Sequence, residues 1–220
     1  MIEFSRYGVD FKISEQTDPL LDDFWRNCYM NWENDTYNEI LPHLDTTKTF
    51  LDIGAWQGPI SMIAQQKSKQ CICFEPDPIA YDMLVKNVKL NNFNNIVTVN
   101  KAVSNDDSLT IGNHELGGGG SSYLRPQNSI KCSTISFSDI LQQYKLNEDN
   151  ISVIKIDIEG YECELLKDPI LKEINVHKHI SLHADFFSDK NKYVNDLKQF
   201  FGKGFVMPRN PFGSIFIKKQ

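Results

Sequence analysis

The chain has 220 residues, 40% hydrophobic and 24% charged, which fits one α/β domain with a buried core and excludes disordered and fibrous classes. Its 23 basic against 29 acidic residues leave a formal charge of −6, which argues against nucleic acid or an anionic membrane as partner, because gripping a polyanion takes a concentrated basic surface. Cys28, Cys71, Cys73, Cys132 and Cys163 are odd in number and lack metal-knuckle spacing, so reduced thiols in a cytoplasmic protein are expected, with neither a signal peptide nor a membrane-inserted span of about 18 apolar residues.

Residues 1–45 differ from the rest, and DPLLDDFWRNCYMNWENDTYNEILPHL reads as two helices forming an N-terminal helical cap over the strand ends. In the core at 46–220, TFLDI (49–53) reads as a buried strand, followed by the turn GAWQGP and a helix around 60–67. CICFE (71–75) is a second strand with Cys71 and Cys73 on one face. A helix over 79–91 then carries Ile79, Met83, Leu84 and Val88 on one side. IVTV (96–99) is a third strand, and short strands at 109–111 and 131–135 flank the low-complexity run Gly117–Gly120. A helix near 138–145 starts at a Ser136 or Ser138 cap, VIKID (153–157) is a fourth strand, and a helix covers 162–172. HISLH (179–183), a helix at 191–201, and a terminal antiparallel pair at 205–207 (FVM) and 214–219 (SIFIKK) complete the chain. Strand–helix alternation of this kind predicts a mostly parallel sheet with helices on both faces, in a single domain spanning 1–220.

In such sheets ligands bind beyond the carboxyl ends of the strands, where strand order reverses. The first strand leaves through Asp52-Ile53-Gly54-Ala55-Trp56-Gln57-Gly58, and the second ends at Glu75, an acid placed to accept from both hydroxyls of a ribose. Two cofactors fit this layout. A dinucleotide favours G-x-G-x-x-G around its pyrophosphate, and Trp56 would crowd that group. S-adenosylmethionine has no phosphate, tolerates the looser turn, and brings a cationic sulfonium for which nearby acids such as Asp52 make sense.

The fourth strand and its exit, IKIDIEGYE (154–162), together with FLDIGAWQG and CFEPDP, resemble the FkbM family of class I S-adenosylmethionine-dependent methyltransferases over about residues 30–185. NWENDTY (31–37) is similar to the family's segment before the sheet, and the Gly-Gly-Ser-Ser run to its loop between the third and fourth strands; Trp56 stands where the family usually has Asn. The resemblance implies a Rossmann-like seven-stranded sheet with its last strand antiparallel, and O-methylation of sugar hydroxyls in glycans or glycosylated small molecules. Carried over residue by residue, it puts Gly54, Ala55, Trp56 and Gly58 along the cofactor, Asp52 near its methionine end and Glu75 on the ribose. Pro76 and Asp77 flank the adenine, Lys101 and Ala102 close over it, and Trp32 and Thr36 cover the amino-acid part.

Methyl transfer to a hydroxyl is an in-line displacement at a sulfonium methyl, and a sugar hydroxyl, a weak acid, needs a base or a metal. Asp157 and Glu159 follow the fourth strand, and His183 and Asp185 the fifth. His183 is the expected base, being partly neutral near pH 7 by its ordinary pKa. Asp157 is expected to orient the acceptor or hold the cofactor amine, and Asp185 to complete the catalytic group. Glu159 and Glu162 have a second reading as helix-start acids that suit the macrodipole. Asp157, Glu159, His183 and Asp185 could also hold Mg²⁺ or Mn²⁺. Gly119, Gly120 and Ser121 are read as a loop over the acceptor cleft, with a plain surface linker as the alternative; Tyr123, Arg125, Phe186 and Phe187 could border that cleft. Three other functions stand beside sugar O-methylation. They are methylation of another acceptor such as a protein or metabolite, a nicotinamide oxidoreductase, against which the glycine spacing argues, and a catalytically silent cofactor-binding module of a larger glycan-building protein.

Overall fold

The computed structural model describes residues 1–113, 121–122, 129–183, 189–201 and 213–219. The segment read as a helical cap, 1–45, opens with two strands. β1 (Ile2–Arg6) and β2 (Val9–Ile13) form an antiparallel hairpin. Its register, Arg6 opposite Val9, leaves Tyr7 and Gly8 as a two-residue connection, both left-handed at φ 53° and 78°. Two such residues in succession match the right-handed twist of the flanking strands. Val9, Phe11 and Ile13 point inward and are buried, the period-2 pattern of a half-buried strand. The expected helices follow within the stretch 18–44, as α1 (Pro19–Asp23), which runs through a π turn and a 3-10 turn over 24–31 into α2 (Asn34–Ile40).

The core then alternates as β3 (Thr49–Ile53), α3 (Pro59–Ala64), β4 (Gln70–Phe74), α4 (Pro78–Leu90) and β5 (Ile96–Val99). A small sheet follows, built from β6 (Ala102–Val103), β7 (Ser108–Asn113), β8 (Ser121–Ser122) and β9 (Ile130–Ile135) in the order β6-β9-β7-β8. The chain returns through α5 (Phe137–Tyr144), β10 (Ile151–Ile156), α6 (Glu162–Leu165), α7 (Pro169–Glu173), β11 (His177–Ser181), α8 (Lys190–Phe201) and β12 (Ser214–Ile217).

The main sheet has the order β12-β11-β10-β3-β4-β5, with every pair parallel except the antiparallel edge pair β11–β12. It is the α/β, Rossmann-like sheet expected, with six strands among the described residues; the FVM segment lies outside them. The chain runs outward from β3 through β4 to β5, then crosses back to β10 on the other side of β3. That reversal makes the β3–β10 junction the switch point where a ligand crevice opens.

Two apolar layers clamp the sheet. One joins Leu51, Ile53, Ile72, Phe74, Ile154, Ile156 and Ile180 to α5, α8 and the small sheet. The other joins Phe50, Cys71, Cys73 and Val153 to α3, α4 and the N-terminal segment through Phe11, Ile13, Trp25, Tyr29, Tyr37 and Ile40. The N-terminal segment is therefore core on that face. Asparagines suture β2 to α4: Asn91 accepts from Lys12 N at 2.7 Å and donates to its carbonyl, and Asn87 accepts from Ser14 N at 2.9 Å. An edge strand's free backbone groups are thus satisfied by side chains.

Candidate active site

A cavity of about 1290 Å³ opens at the switch point, between the carboxyl ends of β3, β4 and β10, the segment 31–39 and the small sheet. Ordinary small-ligand pockets run from about 300 to 1,000 Å³, so this one has room for two ligands side by side.

The turn after β3 forms one wall. Gly54 is left-handed at φ 82°, and a Cβ there would fall 1.8 Å from the Asp157 carbonyl oxygen, so only glycine lets this turn press against the exit of β10. Gly54 and Ala55 both donate to Phe74 O at 3.0 Å, tying the turn to β4. Trp56, left-handed at φ 49°, donates its N–H to Glu75 Oε2 at 2.8 Å, and Asp77 N donates to Glu75 Oε1 at 2.9 Å. Glu75 is buried, which pushes its pKa up to about 8 against the pull of those two N–H donors.

Gly54, Ala55, Trp56, Glu75, Pro76, Lys101, Ala102, Trp32, Thr36, Asp157, Glu159 and His183 all line the cavity. Three residues expected along the cofactor do not. Gly58 sits behind the turn, where its φ of 89° starts α3 and a Cβ would meet Leu84 Cδ1 at 2.5 Å. Asp77 is fully buried and caps α4, accepting from Ile79 N at 2.7 Å and Ala80 N at 3.1 Å. Asp52 is fully buried beneath the site, bound to Ser61 Oγ at 2.7 Å and Lys155 Nζ at 3.2 Å, so it acts on the cavity through Lys155. Each is polar or permissive for a structural reason that spacing alone cannot separate from a binding role. Asp185, Gly119 and Gly120 lie outside the described residues, as do Tyr123, Arg125, Phe186 and Phe187; Ser121 is described only as backbone of β8, paired with Asn113.

The opposite wall carries the charges. Lys155 on β10 is buried and binds Asp52, Gly54 O at 3.0 Å and Asp157 Oδ2 at 3.5 Å. Burial opposes its charge, but Asp52, Asp157 and Glu33 outweigh burial and raise its pKa. Burial likewise opposes ionisation of Asp157, and Lys155 and His183 hold it below the usual carboxylate range. His183 has its Nδ1 2.7 Å from Glu162 Oε1 and its Nε2 3.4 Å from Asp157 Oδ1. Burial works against its charge as well, yet the Glu162 hydrogen bond and the Glu162, Asp157 and Glu159 charges lift its pKa to about 9. A pKa near 9 favours the protonated imidazole at neutral pH, against the expectation of a partly neutral one. Glu162 is fully buried, and its Oε1 also accepts from Gly160 N at 3.0 Å. Its work is to fix His183, beyond a helix-start role.

Glu33, at φ 49° just before α2, was not anticipated, and no pattern in NWENDTY singles it out. Burial first, then the Asp157 charge, pushes its pKa well above the carboxylate range. Lys155 did carry a signal, since a lone Lys inside the apolar run ISVIKI must be paired when buried. Behind Thr36 a second chain runs from Thr36 Oγ1 to His179 Nε2 (3.3 Å) and from His179 Nδ1 to Glu39 Oε2 (2.8 Å). Among the described residues no three His, Cys, Asp or Glu side chains converge as a metal site.

A doubly wound sheet with a glycine turn after β3, an acid closing β4 and an acid–imidazole pair beyond β10 and β11 has the layout of the Rossmann-like methyltransferases. The profile of the Methyltransferase FkbM domain matches residues 46–207, and the chain belongs to that family. It is 23% identical over 165 residues, 75% of this chain, to the hexuronic acid methyltransferase AglP of Haloferax volcanii. It is 39% identical over 59 residues, 27% of this chain, to an uncharacterized protein of Methanocaldococcus jannaschii. The matches span 66% and 23% of those relatives' lengths, in both cases less than two thirds. Among solved structures, an rRNA methylase from Streptococcus thermophilus superposes with a TM-score of 0.51 at 11% identity, covering 84% of this chain and 95% of the other. A putative rRNA-methylase from Clostridium thermocellum gives 0.51 at 10% identity, covering 83% and 91%. At such identities these two report the fold alone.

Proposed function

We propose that this chain is an S-adenosylmethionine-dependent O-methyltransferase whose acceptor is a sugar hydroxyl in a glycan or glycosylated small molecule. The observation that carries the reading is the His183–Glu162–Asp157 unit opening into the same cavity as the glycine turn and Glu75. The residues present fit the cofactor. Glu75 would hold the ribose, Pro76, Lys101 and Ala102 the adenine, and the acids around Asp157 a cation. When bound, the cofactor supplies a methyl group on a positively charged sulfur.

The protein's part is alignment and proton removal. Glu162 fixes the imidazole through Nδ1, which leaves Nε2 as the working nitrogen. His183 must shed its Nε2 proton before it can accept one from the acceptor hydroxyl. A positive charge beside Asp157 favours that loss, because like charges destabilise an imidazolium. Asp157 faces Nε2 and would orient the hydroxyl. The sugar class draws support from the name of the Haloferax volcanii relative and from the cavity's capacity for a second ligand.

Calorimetric titration with S-adenosylhomocysteine tests the first half; no binding at millimolar ligand removes the reading. Transfer of labelled methyl from S-adenosylmethionine to a panel of hexuronic-acid and neutral glycosides tests the second. His183→Ala is expected to lose about 10²–10⁴-fold in turnover. A variant with full turnover rejects the base assignment.

A further inference from the structure

Glu33 lines the cavity and feels the Lys155 and His183 charges only at a distance, with no hydrogen bond or ion pair to either. Lys155 spends its donors on Asp52, Gly54 O and Asp157, and His183 spends its own on Glu162 and Asp157. Glu33 has the Thr36 hydroxyl as a hydrogen-bond partner. Its Oε2 is buried and without a partner among the described residues, although the residue lines the cavity. A buried carboxylate oxygen without a donor is costly unless a ligand supplies one.

The backbone points the same way. Six non-glycine residues adopt positive φ among the described ones, and three of them, Glu33, Trp56 and Glu159, line this cavity. A left-handed glutamate is held against its preference only where the surroundings over-determine it. Here Arg6 of the hairpin does so, donating to Tyr29 O at 3.0 Å, Trp32 O at 2.6 Å and Asn34 Oδ1 at 2.6 Å, on both sides of Glu33. The hairpin thereby aims Glu33 at the cavity.

We infer that Glu33 is an ammonium clamp: its unpartnered Oε2 accepts a hydrogen bond from the α-ammonium of the methyl donor's amino-acid part. This rests on the S-adenosylmethionine reading. The cofactor has two cationic centres, and the missing partner chooses between them. The sulfonium has no N–H or O–H to donate, whereas the ammonium has three N–H donors. A charge-assisted bond in a half-buried site is short and strong, and losing it weakens binding by about 10- to 100-fold.

The test titrates wild-type protein and Glu33→Gln with S-adenosylhomocysteine and with its deaminated analogue, which keeps the carboxylate and lacks the amine. Wild type is expected to prefer S-adenosylhomocysteine by about 10- to 100-fold, Glu33→Gln to lose most of that preference, and the analogue to bind both proteins alike. Thermal melting checks that the variant is folded. Equal affinity of wild type for the two ligands overturns the clamp without recourse to any variant. Equal weakening of both ligands by Glu33→Gln also overturns it. Unchanged binding with lost methyl transfer makes Glu33 a base and overturns it too. Absence of any S-adenosylhomocysteine binding to wild type instead removes the cofactor reading on which the clamp rests.

Discussion

His183 shows how the surroundings decide what a residue can do. In isolation its imidazole would titrate near the middle of the physiological range. Between Glu162, Asp157 and Glu159 its pKa rises to about 9, with burial pulling the other way. A histidine whose folded pKa exceeds its unfolded value contributes stability that is complete below about pH 6.5 and is lost as pH rises through about 9. Glu75, raised by burial to about 8, adds a cost to folding that grows from about pH 4.5 to about 8, so both groups tilt the curve the same way. Thermal melts of the ligand-free protein should therefore fall between pH 6.5 and 9, and His183→Gln should flatten part of that slope. An unchanged slope in the variant contradicts the paired imidazolium. None of this charge pattern is legible in the sequence, because Glu162 and His183 are 21 positions apart and meet only when α6 and β11 pack.

Among the elements, the parallel strands were legible and the N-terminal hairpin was not read. TFLDI, CICFE and VIKID are apolar runs bounded by turn residues, the mark of strands buried on both faces. The hairpin has the signal too, in the alternation Val9-Asp10-Phe11-Lys12-Ile13, but a Tyr-Gly turn is a weaker hairpin cue than Asn-Gly. What fixes the hairpin is distant. Asn87 on α4 is fully buried, accepting from Ser14 N at 2.9 Å and Ser14 Oγ at 2.7 Å while donating to Gln57 O at 3.0 Å. Asn87→Ala strands these groups and should cost about 2–3 kcal/mol in urea unfolding, with faster hydrogen exchange at the Ser14 amide. A cost below about 0.5 kcal/mol would show that the suture contributes nothing.

For the whole molecule, the division at residue 45 is one of sequence character and not of stability. The face of the sheet carrying Phe50, Cys71, Cys73 and Val153 is covered by α3, α4 and the N-terminal segment. Trp25, Tyr29, Tyr37 and Ile40 are fully buried in that layer. A protein truncated to residues 46–220 would expose this layer to water, and we expect it to aggregate or to lose near-ultraviolet circular dichroism. A soluble, cooperatively melting 46–220 would show that the segment is a lid and not core. Within the described residues no helix is long and apolar enough to cross a membrane.

The sequence by itself determined the alternation of strands and helices, the glycine turn, the acid closing β4 and the IKIDIEGYE exit that carries the family resemblance. These are local patterns, set by backbone freedom, burial period and short-range capping, and a linear reading reaches them. Only the tertiary structure decided which acids line the cavity. Asp52 and Asp77 turn inward to Lys155 and to α4, while Glu33 joins the cavity wall and Glu162 stands behind His183, which lines it. Ionisable groups acquire their chemistry from partners and from exclusion of water, and both are properties of packing between segments far apart in the chain.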